Sequence, residues 1–373
     1  MTDQPTEDTA GPGHARSRAE VGVGEGCVYN PSRRTFLSEL SALAAGAVLA
    51  KSASAAQAAA SESVAPYRID VHCHFAPPSW VAEWSPKGSV WPPLTKWTPA
   101  KHLEDMDQAG VAASIVSVTT PGLWFGDAAT SRRLARECND YAARLTQDYP
   151  RRFRMFVALP FPDVEGSLRE IEYGLDSLHA DGIGLFTSYG DKWLGDPAFA
   201  PVFEELNRRR ALVYTHPAAA TCCHNLVPGI SDVVIEYGTD TSRAIARMVF
   251  GGSARRYPQM RVIFSHAGGT MPFLVERFDN LSKTPPYSTD LPDGFRAEAR
   301  KFYYDTAQTS NPAAMAALKV VIPTSHVVFG TDYPFRTHAD HAKGLRECGV
   351  FSDAELRGIE RENILALLPR RPE

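Results

Sequence analysis

The run Tyr67-Arg68-Ile69-Asp70-Val71-His72-Cys73-His74 decides how the chain is read. It is a short, strand-type segment that ends in two histidines, and three later runs repeat the plan. Leu212-Val213-Tyr214-Thr215 leads into His216-Pro217, Val262-Ile263-Phe264-Ser265 into His266, and Val327-Val328-Phe329-Gly330-Thr331 into Asp332. Side chains two residues apart lie on one face of a strand, so His72 and His74 point one way and Cys73 the other.

Working outward, runs of β-branched and aromatic residues predict strands at Tyr67–Val71, Ala112–Val118, Phe153–Ala158, Gly182–Phe186, Ala211–Thr215, Arg261–Ser265, Phe302–Thr306 and His326–Gly330. Segments with helical spacing and terminal signals lie between them. Thr98-Pro99 reads as a cap and first-turn proline, with a helix to Ala109. Further helices are predicted over Arg132–Asp148, Val164–Ala180, Pro197–Arg209, Thr239–Tyr257, Thr270–Leu281, Pro312–Val321 and Asp353–Leu368. Strand and helix in strict alternation imply an α/β fold, a single (β/α)8 TIM barrel over residues 61–373. An open doubly wound sheet would need a glycine-rich phosphate loop after a strand, and none is present. Long insertions at Phe75–Trp97 and Pro217–Gly238 follow the first and fifth strands, at the barrel end where sites are built.

The 373 residues are 44% hydrophobic and 22% charged, with 39 Lys plus Arg against 43 Asp plus Glu. A net charge of -4 carries no basic excess and speaks against a nucleic-acid partner. Six cysteines are too sparse for a disulfide scaffold. Residues 1–60 read as a leader outside the barrel. Its first part is polar and lacks apolar periodicity, and it contains Cys27. Ser32-Arg33-Arg34-Thr35-Phe36-Leu37, a mild apolar run to Ala50 and small residues near Ala55 and Ala60 match a twin-arginine export signal, implying a periplasmic or secreted protein. The apolar run is too short to span a bilayer, which takes about 20 residues, so no membrane integration is expected.

In a barrel the strand ends converge on one mouth. Three neutral imidazoles and a carboxylate among His72, His74, His216, His266 and Asp332 suit one divalent ion, Zn2+ or Mn2+. One histidine is then left over for acid/base work, which suits an imidazole titrating near neutrality. The other histidines are placed differently. His102 and His179 fall on helices and are expected at the surface, and His326 precedes its strand at the far end of the barrel. His338 and His341 follow the last strand, where they could support the ligands from behind. Cys222-Cys223-His224 looks metal-like, but adjacent cysteines converge poorly on one ion, so a loop with buried thiols is expected.

These residues carry a resemblance. His72-x-His74, His216-Pro217, His266-Ala267-Gly268-Gly269 with Pro272-Phe273, and Gly330-Thr331-Asp332-Tyr333-Pro334-Phe335 resemble the amidohydrolase-related, metal-dependent decarboxylases. This is the group around aminocarboxymuconate-semialdehyde, γ-resorcylate and 6-methylsalicylate decarboxylases, and the likeness runs from about residue 67 to 368. It implies a distorted barrel in which His72, His74, His216 and Asp332 hold one ion and His266 is catalytic. The fourth strand ends Gly184-Leu185-Phe186-Thr187 without the lysine that bridges two metals in hydrolytic relatives, and Lys192 is too far along. Arg277 matches an arginine that reaches the neighbouring subunit's site, implying a homodimer. Lys96 stands where a second carboxylate-binding arginine is usual, and it lacks the guanidinium's bidentate fork. Phe186, Trp80, Trp91, Trp97 and Trp124 could wall an aromatic substrate.

The implied activity is non-oxidative decarboxylation of an aromatic or unsaturated carboxylic acid, with Asp332 or His266 supplying the proton. A mononuclear hydrolase or hydratase on the same scaffold is the alternative. An exported ligand-binding protein without activity comes third, because it would leave His266 without a task.

Overall fold

The computed structural model describes residues 66–369. The paired arginines, Cys27 and the boundary expected near residue 60 lie outside the described residues. Eight parallel strands follow in chain order: β1 (Arg68–His74), β2 (Val111–Ser117), β3 (Phe153–Ala158), β4 (Gly182–Phe186), β5 (Leu212–His216), β6 (Arg261–Phe264), β7 (Tyr303–Asp305) and β8 (Val327–Val328). Each pairs with its sequence neighbour. The sheet curls until the segment at β8 meets β1. There the Val71 N–H donates to Phe329 O (3.0 Å), the Asp332 N–H to His72 O (2.7 Å) and the His74 N–H to Tyr333 O (2.7 Å).

Eight helices cover the outside: α1 (Pro99–Gln108), α2 (Ala128–Asp148), α3 (Val164–Glu172), α4 (Ala200–Arg208), α5 (Asp232–Phe250), α6 (Met271–Ser282), α7 (Pro312–Val321) and α8 (His338–Glu347). Side-chain caps start several of them. Thr98, Asp127, Asp163, Asn311 and Thr337 each accept a first-turn backbone N–H, a contact worth about 1 kcal/mol.

Two expectations need correction. The helix after the fifth strand begins at Asp232 rather than Thr239. Val233, Val234 and Ile235 are β-branched and poor helix formers, so the sequence hides a turn that the walls of the mouth hold in place. The eighth barrel helix is His338–Glu347, not Asp353–Leu368. The later segment breaks into Asp353–Arg357, a π-turn at Gly358–Glu362 and Asn363–Leu365. Its Ile364, Leu367 and Leu368 pack with Ile69, Ile115, Leu212, Ile263 and Val328, closing the barrel at the strand starts. Full burial of each such side chain contributes about 1.5–3 kcal/mol.

Alternation alone does not aim β1. Asp70 pairs with Ser114 and Cys73 with Val116, so three steps on β1 oppose two on β2. This bulge resets the parity. Ile69 faces the barrel interior and Asp70 the helix layer, yet beyond the bulge His72 and His74 both face inward. Bulges are a common way to re-aim side chains beside a site.

Asp70 then meets α8. Nε2 of His338 lies 3.1 Å from Asp70 Oδ2 and Nδ1 lies 2.6 Å from Asp105 of α1, with His338 fully buried. Asp70 also accepts the N–H groups of His72 (2.9 Å) and Thr331 (3.2 Å). His338 therefore braces the strand end that presents the site. His102 is a correction: it is fully buried rather than at the surface, its Nδ1 accepting from Trp97 Nε1 (3.2 Å) and its ring against Tyr333. Its place on the inner face of α1 explains this. His179 is exposed just beyond its helix, and His326 sits at the strand starts with Nδ1 on Phe302 O.

Burial pulls the His338 imidazolium down, but its bonds to Asp105 and Asp70 outweigh this and raise its pKa above the usual 6.5. The folded chain then holds a proton that the unfolded chain releases above that value. The contribution is full below about pH 6.5 and is lost as pH rises through the folded value. His338→Ala should cost about 3 kcal/mol at pH 6 in urea unfolding, since it strands the buried Asp70 carboxylate and unpairs the partly buried Asp105. The gap from wild type should narrow by pH 9. A gap that widens with pH would show that His338 is not held as the cation.

Candidate metal centre and active site

Five side chains meet at the C-terminal ends of the strands. His72 and His74 come from β1, His216 from β5, His266 from the turn after β6, and Asp332 from the turn after β8. Nitrogen and oxygen atoms of His72, His74, His216 and Asp332 all lie within 4.8 Å of one another, and all four residues are buried. Oδ1 of Asp332 is 3.0 Å from His74 Nε2 and 3.2 Å from His72 Nε2. His266 stands beside the cluster, its Nε2 3.6 Å from Asp332 Oδ2.

The outer nitrogen of each ring is engaged, which fixes what the inner one can do. Nδ1 of His72 pairs with Asp305 Oδ2 (2.8 Å), Nδ1 of His74 with Ser117 O (3.3 Å) and Nδ1 of His216 with Pro217 O (2.8 Å). These acceptors hold the proton on Nδ1 and turn three Nε2 atoms toward one point, the arrangement that orients metal-ligating histidines. His72 Nε2 is buried without a hydrogen-bond partner. A divalent ion fits this donor set, because it would satisfy that orphaned nitrogen and offset the Asp332 carboxylate.

The electrostatics call for a cation at the same place. Burial pulls the His72 imidazolium down, yet Asp305 and Asp332 outweigh it and push its pKa up to about 10. Burial alone would raise the Asp332 carboxyl, but the charge of His72 beside it and the nearby His266 and His74 rings hold it well below the usual range. His216 is pulled well below neutrality by burial and by the neighbouring His74 and His72, and burial likewise lowers His74. Positive charge belongs between Asp305 and Asp332, while the other two imidazoles stay neutral.

One support, Asp305, was not singled out from the sequence, whereas His341 and the glycines after His266 were. Asp305 closes β7 and, besides His72, accepts the N–H groups of His266 (2.8 Å) and Ala307 (3.0 Å). The available signal was a carboxylate at a strand end. His341 packs behind the turn after β7, with Nε2 3.0 Å from Thr306 Oγ1. Gly269 follows His266 with φ +64°, and a Cβ there would sit 2.0 Å from Gly238 O on α5. That contact explains the glycine after His266-Ala267-Gly268.

A cavity of about 490 Å³ opens above the cluster. His216, His266 and Asp332 form its floor. Trp91, Phe335, Val233 and Val234 wall it, and Thr119, Thr120, Tyr237, Gln308 and Thr309 add neutral polar groups. Of the expected tryptophans, only Trp91 lines this cavity; Trp80 and Trp97 are buried in the core and Trp124 is exposed. Phe186 packs edge-on against His216 (6.0 Å) and lines a smaller void beneath it. Lys96 and Arg277 are exposed and absent from the lining, which contains no lysine or arginine. Lys192 is exposed in a small hairpin beyond β4. Cys223 is buried as expected of the loop thiols, but Cys222 is exposed. The expectation of two buried thiols fails because that loop lies on the surface, where only one of two adjacent side chains can turn inward.

Metal analysis of purified variants tests this arrangement. Ala at His72, His74 or His216 should remove the ion, whereas His266→Ala should keep about one per chain. Asp305→Asn should weaken metal affinity by roughly 10- to 100-fold through loss of the second-layer carboxylate. If His266→Ala loses metal as completely as His216→Ala, the division between ligands and free histidine is wrong.

Comparison with known proteins shows the family of the chain. The amidohydrolase family model matches residues 69–370. The chain is 36% identical to the decarboxylase yanB of Aspergillus niger, over 81% of this chain and 88% of that protein. It is 35% identical to 6-methylsalicylic acid decarboxylase of Penicillium expansum, over 81% and 96%. Among solved structures, a dihydroxybenzoic acid decarboxylase from Polaromonas sp., with bound manganese and the inhibitor 2-nitroresorcinol, superimposes with a TM-score of 0.69 at 22% identity, over 81% of this chain and 96% of that one. That likeness speaks to the shared barrel. By the extent of these matches, the chain belongs to the amidohydrolase family, in the group of its decarboxylases.

Proposed function

We propose that this enzyme removes CO2 from a hydroxylated aromatic monocarboxylate close to 6-methylsalicylate, using one divalent ion held by His72, His74, His216 and Asp332. The observation that carries the reading is the join of a cluster of three histidines and an aspartate with a cavity walled by Trp91 and Phe335, in a chain 35% identical to a 6-methylsalicylic acid decarboxylase. The cavity volume suits a small molecule, for which pockets run about 300–1,000 Å³. The manganese in the Polaromonas relative favours Mn2+ over Zn2+.

When bound, the ion supplies positive charge and open positions for oxygen ligands, which favour a carboxylate with an adjacent hydroxyl. The remaining work falls to the chain. Trp91 and Phe335 hold the ring, and Thr119, Thr120 and Tyr237 meet its polar edge. His266 presents an imidazole to the cavity, from which a proton can reach the ring carbon as its bond to the carboxylate breaks and CO2 leaves.

The lining lacks a cation, so a substrate carboxylate needs one from elsewhere or must rely on the ion alone. Arg277 is the candidate, supplied by a second copy. It lies on the same face of α6 as Phe273, four residues earlier, which is 71% exposed. Leu226, Val227, Ile230 and Val234 also expose apolar surface beside the mouth. A homodimer burying these residues would bring Arg277 toward the neighbouring site. Export by the twin-arginine route remains part of the proposal, resting on Arg33 and Arg34 with the apolar run after them.

Manganese-loaded enzyme should release CO2 from 6-methylsalicylate and slower from hydroxybenzoates without the methyl group. Absence of CO2 from the whole panel, with metal bound, would defeat the reading. Mixing inactive Arg277→Ala and inactive His266→Ala chains should restore activity through dimers that hold one intact site. No recovery after verified exchange would place the carboxylate anchor elsewhere. Replacing Arg33 and Arg34 by lysine should leave the precursor uncleaved inside the cell, and continued processing near Ala55 or Ala60 would remove the export assignment.

A further inference from the structure

Three successive strand ends place a non-glycine residue in the left-handed backbone region. They are His266 after β6 (φ 51°), Gln308 after β7 (φ 55°) and Asp332 after β8 (φ 73°). Outside glycine this region is uncommon, and histidine and aspartate enter it far more readily than glutamine. Such conformations persist where the surroundings over-determine them, and they cluster at functional sites. Two of the three belong to the site already described. The third, Gln308, touches it.

Gln308 Nε2 donates to Asp332 Oδ2 at 3.0 Å, and Gln308 lines the cavity. The turn that aims it is built by Asp305 and Thr306: the Ala307 N–H donates to Asp305 Oδ1 (3.0 Å) and the Thr309 N–H to Thr306 O (3.1 Å). Asp305 is also the carboxylate behind His72. One turn therefore serves both the first histidine and the aspartate.

The two oxygens of Asp332 have different surroundings. Oδ1 faces His74 and His72. Oδ2 faces Gln308 and His266 on the cavity side. A carboxamide N–H donates a hydrogen bond but does not give up its proton, so it marks Oδ2 as an acceptor.

We propose that Gln308 is a positioning residue that reserves Asp332 Oδ2 for the cavity side. It leaves Oδ1 alone to serve the metal cluster and keeps Oδ2 turned toward His266 and the bound substrate. The proposal rests on the decarboxylase reading for its kinetic part only; the division of the carboxylate stands on geometry.

Gln308→Gly and Gln308→Glu separate this role from a structural one. Glycine enters the left-handed region freely, so Gln308→Gly relieves the backbone while removing the donor. Its Tm should stay within about 4 °C of wild type, and it should keep one Mn2+ per chain. The Mn2+ electron paramagnetic resonance spectrum, recorded without substrate, should change, because Oδ2 becomes free to turn toward the ion. On substrate, kcat should fall about 10- to 100-fold, with KM moving by less than about threefold. Gln308→Glu, which keeps the length but offers no donor, should fall at least as far. An unchanged spectrum in Gln308→Gly overturns the proposal even if the wild type decarboxylates nothing. So does a kcat within about threefold of wild type in an active enzyme, or a loss of metal as complete as that of His216→Ala.

Discussion

The seam where the segment at β8 meets β1 sets the site. Asp332 reaches the cluster because its N–H is bonded to His72 O, one residue from the neighbouring His74 N–H to Tyr333 O contact. The same seam holds Gly330 close against β1, where a Cβ would come within 2.8 Å of His72 Cβ. Asp70 ties both sides together through the His72 and Thr331 N–H groups. Ligands from the two ends of the sequence thus converge through a few backbone bonds, and side-chain geometry follows from them.

Around this seam the buried charges form two layers. The inner layer places His72 between Asp305 and Asp332. The outer layer places His338 between Asp70 and Asp105. Each sets an imidazole between carboxylates in a dry environment, where unpaired charge is costly and paired charge is directional. The inner layer is open to a cavity and can exchange its proton for a metal ion. The outer layer sits between β1 and the helices α1 and α8, away from the cavity, and acts as a brace. The same chemical grouping serves function in one place and rigidity in the other, and the cavity that Asp332 lines makes the difference.

The mouth itself is neutral and largely apolar. Its walls come from the insertion after β1, which supplies Trp91, and from the first turns of α5, which supply Val233, Val234 and Tyr237. Loops set on a rigid barrel in this way can change substrate while the ligands stay fixed. In this chain the neutral walls suit the flat ring of the proposed substrate. The exposed apolar residues beside the mouth extend the same surface outward.

Much of this was legible in the sequence. Strand runs ending in His72, His74, His216, His266 and Asp332 give both the barrel and its metal-binding end, because alternation of strand and helix forces those ends to one side. The cap at Thr98-Pro99 and the bounds of β3, β4 and α7 read directly, since local residue preferences decide them. Other features had no local signature. The β-branched start of α5 was hidden because propensity opposed it, and His102 looked superficial because its partner Tyr333 is remote in sequence. The bulge in β1 is set by register against β2, so a plain reading of parity from Ile69 would turn His72 outward. Asp305 and Gln308 gain their meaning only from what they touch. The sequence by itself determined which residue types stand at the strand ends, and the tertiary structure decided their aim, because direction depends on register, closure and contacts between distant segments.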